Sequence, residues 1–142
     1  METLNPLDLD FWIRVGVSML CGAVIGLERQ LRGKPVGIRT STLIVLGTAI
    51  FVQLGAAFPS EHADPTRVLG QVVTGIGFLG AGGIMARGDL ITGITSAATI
   101  WMMAAIGSMV GLGHYLAAMA LSLVTVLTLV GFEKVVPHKV GK

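Results

Sequence analysis

A chain of 142 residues that is 53% hydrophobic and 13% charged, with a mean hydropathy of +0.80, is too apolar for a soluble domain, where about 25% of residues carry charge. Its length suggests one domain, and its single cysteine, Cys21 between Leu20 and Gly22, excludes an intrachain disulfide and reads as a small buried hydrophobe. The charges fall in short clusters between long uncharged runs, so the pI near 9.0 reflects a basic membrane face that meets anionic lipid, not nucleic-acid binding.

A helix crossing the hydrocarbon core of a bilayer needs about 20 mostly apolar residues. Five segments approach that length: residues 11–27, 38–58, 68–85, 94–110 and 115–132. The expected fold is an all-α integral membrane protein, a bundle of five transmembrane helices forming one domain over residues 1–142. Pro35, Pro59 and Pro65 fall in the gaps and Pro137 beyond the last span, where proline costs least. The first span is not a cleaved signal peptide, because Glu2, Asp8 and Asp10 precede it in place of lysines.

In the first span, Arg14 lies one turn inside the boundary beside Phe11 and Trp12. It can snorkel outward and pair with Asp10 at i,i+4, or serve transport. Gly22 and Gly26 form a small-xxx-small pair suited to helix packing. Glu28 closes the span on the face that carries Arg14, Ser18 and Cys21. Two readings of it stand: an ion pair with Arg29, Arg32 or Arg39, or a cation or proton site at a cytoplasmic vestibule. It is the best candidate for a metal ligand.

Arg39-Thr40-Ser41-Thr42 opens the second span. The hydroxyls are placed to cap that helix, and Arg39 to meet Glu28 across the first loop. Gln53 falls near the same face at the other end.

The third span contains GIGFLGAGG, residues 75–83, whose first six residues match G-x-G-x-x-G. A dinucleotide fingerprint must follow a strand, open a helix and meet an acidic residue about 20 positions on. Here the string sits inside a membrane-length apolar run and position 100 is Ile100, so the phosphate reading fails. At about 100° per residue, Gly70, Thr74, Gly77 and Ala81 line one side, and Gln71, Gly75 and Gly82 a second. Two small-residue stripes imply a helix wedged between several neighbours, the centre of the bundle. The alternative is a broken helix whose freed backbone lines a site.

Thr92, Thr95, Ser96 and Thr99 make a hydroxyl stripe at the start of the fourth span, continued by Met103, and Gln71 is placed to reach it. Such hydroxyls either bond back to their own helix or line a water path. No enzyme is expected: His62 and His114 fall in loops and His138 in the tail, and no metal-ligand spacing or Ser-His-Asp set is visible.

Orientation follows from lysine and arginine. With five spans, Arg29, Arg32, Lys34, Arg39, Arg87, Lys134, Lys139 and Lys142 share one side, while Arg14 and Arg67 are the other basic residues. The opposite side keeps Glu2, Asp8, Asp10, Glu61 and Asp64. The N terminus is therefore expected outside and the C terminus in the cytoplasm. Four or six spans would break this sorting.

Two blocks, GAVIGLERQLRGKPVGIRTSTLIVLGTAIF and QVVTGIGFLGAGGIMARGDLITGITSAATIWMMAAIG, resemble the membrane domain of the MgtC/SapB family. The likeness runs from about Arg14 to Leu129. It rests on Gly-x-Glu-Arg ending the first span, Gly-x-Arg-Thr opening the second, Gln with the glycine string in the third, and Thr-x-x-Ala-x-x-Trp in the fourth. Ser96 stands where a threonine is common. The resemblance implies a bacterial inner-membrane protein linked to growth under magnesium limitation, with restraint of the ATP synthase and survival inside host cells in some members. It singles out Arg14, Glu28, Arg29, Arg39, Thr40, Gln71 and Trp101, the last as a packing residue. Several relatives add a soluble C-terminal domain, and here only residues 133–142 follow the last span, so no such domain is expected.

Two functions follow. One is a cation carrier or channel, for Mg²⁺ or coupled to protons. Mg²⁺ usually takes one or two carboxylates; near the cytoplasmic boundary there is Glu28, with Asp89 and Glu133 close by, so a homo-oligomer repeating Glu28 around an axis makes a better pathway than a monomer. The other is a regulatory or homeostatic protein acting through helix–helix contacts with a membrane partner, for which no cofactor is needed. The favoured expectation is the second.

Overall fold

The computed structural model describes residues 5–57, 65–87 and 90–135. Glu2, Glu61, Asp64, Lys139 and Lys142 of the charge argument, His62 and His138, Asp89, and Phe58 at the expected end of the second span lie outside them.

Five helices carry the fold. Helix α1 (Leu9–Leu31) starts at Asp8, whose carboxylate accepts from the Asp10 amide at 3.3 Å, the side-chain cap that spares an orphan N–H. It continues past Leu27 through Glu28 and Arg29. Helix α2 (Ile38–Ala57) follows a turn in which Gly33 has φ +62° and Val36 φ +68°. Helix α3 (Pro65–Gly82) leads into a short antiparallel ribbon of β1 (Met85–Arg87) and β2 (Leu90–Thr92), in register Met85 to Thr92. Helices α4 (Ile94–Gly111) and α5 (Tyr115–Val135) complete the chain.

The ribbon departs from expectation, since the third span was expected to stay helical to Met85. The helix stops at Gly82, and the chain turns back at the ribbon before Gly93, φ +90°. A side chain at Gly93 would run into the Gly83 carbonyl, so the backbone can approach this closely only without a Cβ.

Close helix approach sets the packing. A Cβ added at Gly22 would lie 2.6 Å from Thr42 Cα, and one at Gly26 would lie 2.5 Å from Ile38 Cα. Across α2, a Cβ at Gly107 would meet the Val45 carbonyl oxygen at 2.6 Å and one at Gly111 the Ala49 oxygen at 2.7 Å. Four glycines thus clamp α2 between α1 and α4, the small-residue packing that replaces the hydrophobic drive in lipid. Later α2 residues meet later α4 residues but earlier α1 residues. Helix α2 therefore runs parallel to α4 and antiparallel to α1.

The core lies where these helices meet. Ile25, Val45, Met103, Ile106 and Val110 are fully enclosed, and half of the α4 span is buried against 17% of the α5 span. Helix α3 is not the centre of the bundle, contrary to expectation. Among its residues with described side chains, Ile76 and Gly80 are buried while Gly70, Gln71, Thr74, Gly75, Gly77, Ala81 and Gly82 are exposed. A Cβ at Gly70, Gly75, Gly77 or Gly82 would meet nothing within 4 Å, so these glycines are not packing positions among the described residues. Trp101, expected at a packing position, is 56% exposed. The periodicity located the stripes, but a small residue fits a contact and an open face equally well.

Helices α1, α2, α4 and α5 are long and apolar enough to cross a membrane.

Candidate functional site

Polar groups gather along the buried face of α1. Arg14, Ser18, Cys21, Ile25 and Glu28 recur at helical spacing and are all buried, so one face of an otherwise apolar helix carries a polar seam through the bundle. Helices α4 and α5 pack over it.

At one end, Arg14 Nη1 donates to the carbonyl oxygens of Gly111 at 2.6 Å and Val110 at 3.1 Å. Its Nη2 donates to Asp10 Oδ2 at 2.8 Å. The Tyr115 hydroxyl donates to Asp10 Oδ1 at 2.7 Å, and the Arg14 guanidinium stands 5.6 Å from the Tyr115 ring centroid. The C-terminal carbonyls of a helix carry partial negative charge and lack intrahelical donors. Arg14 satisfies two of them while Asp10 balances its charge.

In the middle, Cys21 is a buried free thiol. Ser18 is fully enclosed, and its hydroxyl has no partner among the described residues. Ser122 and Thr125 donate to the carbonyls of Ala118 at 2.9 Å and Leu121 at 2.7 Å, the back-bonding of hydroxyls to their own helix.

At the other end, Arg29, 4% exposed, donates from Nη2 to Ser96 Oγ in the first turn of α4 at 2.7 Å. Glu28, 8% exposed, has its Oε1 2.9 Å from Arg32 Nε. Neither Glu28 oxygen accepts a hydrogen bond by geometry among the described residues, so the Arg32 contact is one of charge rather than of an aimed N–H. The ion pair is with Arg32, one turn on along the same helix, and not with Arg39, which is exposed at the start of α2.

The remaining expected residues are dispersed. Thr40 is exposed on α2 and Gln71 on α3, both on a groove between those helices. Gln71 therefore faces α2 and not the α4 hydroxyl stripe. Within that stripe Ser96 and Thr99 are buried, Thr92 and Thr95 exposed, and Thr99 Oγ1 donates to the Thr95 carbonyl at 2.7 Å. The structure thus joins Arg14 to the end of α4 and Arg29 with Ser96 to its beginning, and leaves Arg39, Thr40, Gln71 and Thr95 outside both clusters. Sequence reasoning missed Asp10 with Tyr115 as a bridge and Gly107 with Gly111 as packing residues. The last pair had a readable signal, a second small-xxx-small spacing.

Among the described residues no three His, Cys, Asp or Glu side chains come together, and the carboxylate of Glu28 sits beside Arg29 and Arg32. What the seam does is hold three helices together through charge placed at both ends of α4.

The model of the MgtC family matches residues 15–137. The chain is 42% identical over 132 residues to YhiD of Escherichia coli K12, named a candidate magnesium transporter, covering 88% of this chain and 61% of that one. It is 38% identical over 143 residues to SapB of Bacillus subtilis, covering 95% and 61%, and 42% identical over 107 residues to MgtC of Salmonella typhimurium LT2, covering 75% and 46%. It thus spans about half to three fifths of the length of these relatives. No solved structure matches it. With nearly all the described helices inside the family model and this identity along them, the chain belongs to the MgtC family.

Proposed function

We propose that this chain is a multi-pass protein of the bacterial inner membrane with a regulatory or homeostatic role linked to magnesium limitation. It acts by binding, through helix–helix contacts with a membrane partner, and not by catalysis. The observation that carries this reading is the outward face of α3. Gly70, Thr74, Gly77 and Ala81 lie on one side of that helix, all exposed, and a Cβ at Gly70 or Gly77 would meet nothing within 4 Å. Small residues admit close approach of another helix in lipid, and this face is uncovered among the described residues. The link to magnesium comes from the family and from the name of YhiD. The ATP synthase membrane sector, suggested by family resemblance, and a second copy of the chain are the partners to test on it.

Five spans with the N terminus outside accompany this reading. The parallel run of α2 and α4 supports a return crossing between them, which we assign to α3. Its 18 residues extend about 27 Å at ~1.5 Å per residue, close to the ~30 Å hydrocarbon core. The lysine and arginine distribution then places Arg29, Arg32, Lys34 and Arg39 at the cytoplasmic side.

The carrier reading has one observation in its favour, the two buried oxygens of Glu28 without hydrogen bonds. The arginines beside them oppose passage of a divalent cation through this end of the seam. Mg²⁺ and proton flux into proteoliposomes, with and without Glu28→Gln, decides between the two. We expect no flux above empty liposomes for either protein, together with recovery of a membrane partner that Gly77→Leu abolishes. Flux that disappears in Glu28→Gln would overturn the regulatory reading.

A further inference from the structure

Helices α2 and α3 touch at one end and part at the other. At Gly55 the Val68 side chain occupies the space a Cβ would need, whereas further along α3 Gly80 packs on Ala97 of α4. Between the diverging helices lies an apolar groove of about 750 Å³. Thr40, Leu43, Gly47 and Phe51 line it from α2, and Gly75 and Leu79 from α3. Gly47 and Gly75 give it depth, since a Cβ at either would meet nothing within 4 Å. The α3 partner face proposed above points away from this groove, so the two surfaces are distinct.

We propose that this groove holds one acyl chain of a phospholipid whose anionic headgroup is met by Arg39. Three features identify the occupant. The groove opens sideways from helices whose solvent is hydrocarbon, and its walls offer an alkyl chain contact with little to hydrogen-bond. From Thr40 to Phe51 it runs about 16 Å at ~1.5 Å per residue, matching one leaflet's half of a ~30 Å core. Next to the lining residue Thr40 in the chain, Arg39 is exposed, has no ion-pair partner among the described residues, and sits in a first helical turn without acidic residues. A phosphate at the cytoplasmic boundary supplies the missing charge.

This inference rests on the proposed orientation, in which Thr40 and Arg39 lie at the cytoplasmic side, and is independent of any partner or of magnesium. The test is native mass spectrometry of the purified full chain, delipidated and then offered phosphatidylglycerol or phosphatidylethanolamine, with a diazirine-tailed phosphatidylglycerol as a crosslinking probe. Expected are retention of a single phospholipid, a several-fold preference for phosphatidylglycerol, and crosslinks to Leu43 or Leu79. Gly75→Leu and Gly47→Leu, each filling the groove, should lose retention, while Arg39→Gln, an exposed change without a folding penalty, should keep a lipid but lose the preference. Unchanged retention in folded Gly75→Leu, or an Arg39→Gln protein with the preference intact, would overturn the proposal. So would a lipid-free dimer that Gly75→Leu dissolves. Labelling Arg39→Cys in intact cells reads the orientation separately: labelling from outside sinks that reading whatever the lipid result.

Discussion

Arg14 Nη1 lies 2.6 Å from the carbonyl oxygen of Gly111, so a guanidinium near the start of α1 closes the end of α4. At the other end of the same two helices, Arg29 Nη2 lies 2.7 Å from Ser96 Oγ. Two arginines fifteen positions apart on α1 therefore fix α4 antiparallel along nearly its whole length. The Arg14 contact is electrostatically favourable because a helix C-terminus is its negative end, and the Arg29 contact brings a cation to the positive end. The Arg29 contact therefore depends on its hydrogen bond and on Glu28 nearby.

Replacing Arg14 with methionine should cost about 1.5–3 kcal/mol, the range for hydrogen bonds to a charged group whose partners stay buried. Asp10→Asn should cost less, about 0–1 kcal/mol, because the Asp10 side chain is 40% exposed. Equilibrium unfolding of the purified protein in detergent, followed by circular dichroism, measures both. Equal losses would show that Arg14 owes its position to Asp10 and not to the α4 carbonyls.

Ser96→Ala should destabilise the protein by about 1–3 kcal/mol, since it leaves a buried Arg29 N–H without its acceptor. Ser96→Thr, which keeps the hydroxyl, should restore most of that loss. The same unfolding assay reads it, and a threonine variant no better than alanine would refute the hydrogen bond as the cause.

The glycines should divide into two groups. Gly26→Leu and Gly107→Leu force atoms into the α1–α2 and α2–α4 contacts, and overpacking of that kind costs about 1–3 kcal/mol or more. Gly70→Ala and Gly77→Ala place a methyl in open space and should leave stability unchanged or raise it by up to about 1 kcal/mol through helix propensity. Thermal melts of the four variants test this. Loss of stability in Gly77→Ala would mean that α3 packs in a way the isolated chain does not have.

Arg67→Cys and His114→Cys should label with a membrane-impermeant thiol reagent from outside, and Lys34→Cys only after the membrane is opened. Cys21 is 1% exposed and should give little background. Labelling of Arg67→Cys and Lys34→Cys from one side would rule out five crossings in the proposed orientation.

The sequence by itself determined the solvent, the class and most of the helices, because hydrocarbon demands long uncharged runs and these are visible without knowing what touches them. It located α1, α2, α4 and α5 to within a few residues, and its glycine spacing at Gly22 and Gly26 marked the residues at which α1 and α2 meet. It also carried the family through motifs that need no coordinates. The tertiary structure decided the rest. Helix α4 and not α3 became the most buried span, because Gly107 and Gly111 let α2 close onto it while Gly70, Gly75, Gly77 and Gly82 of α3 are exposed. Glu28 paired with Arg32 and not Arg39, because α1 runs on to Leu31 and carries Arg32 one turn beyond it. A small residue or a charge declares in sequence what it permits; which neighbour arrives depends on how the whole chain folds back, and helix packing in lipid has no simple hydrophobic pattern that announces it.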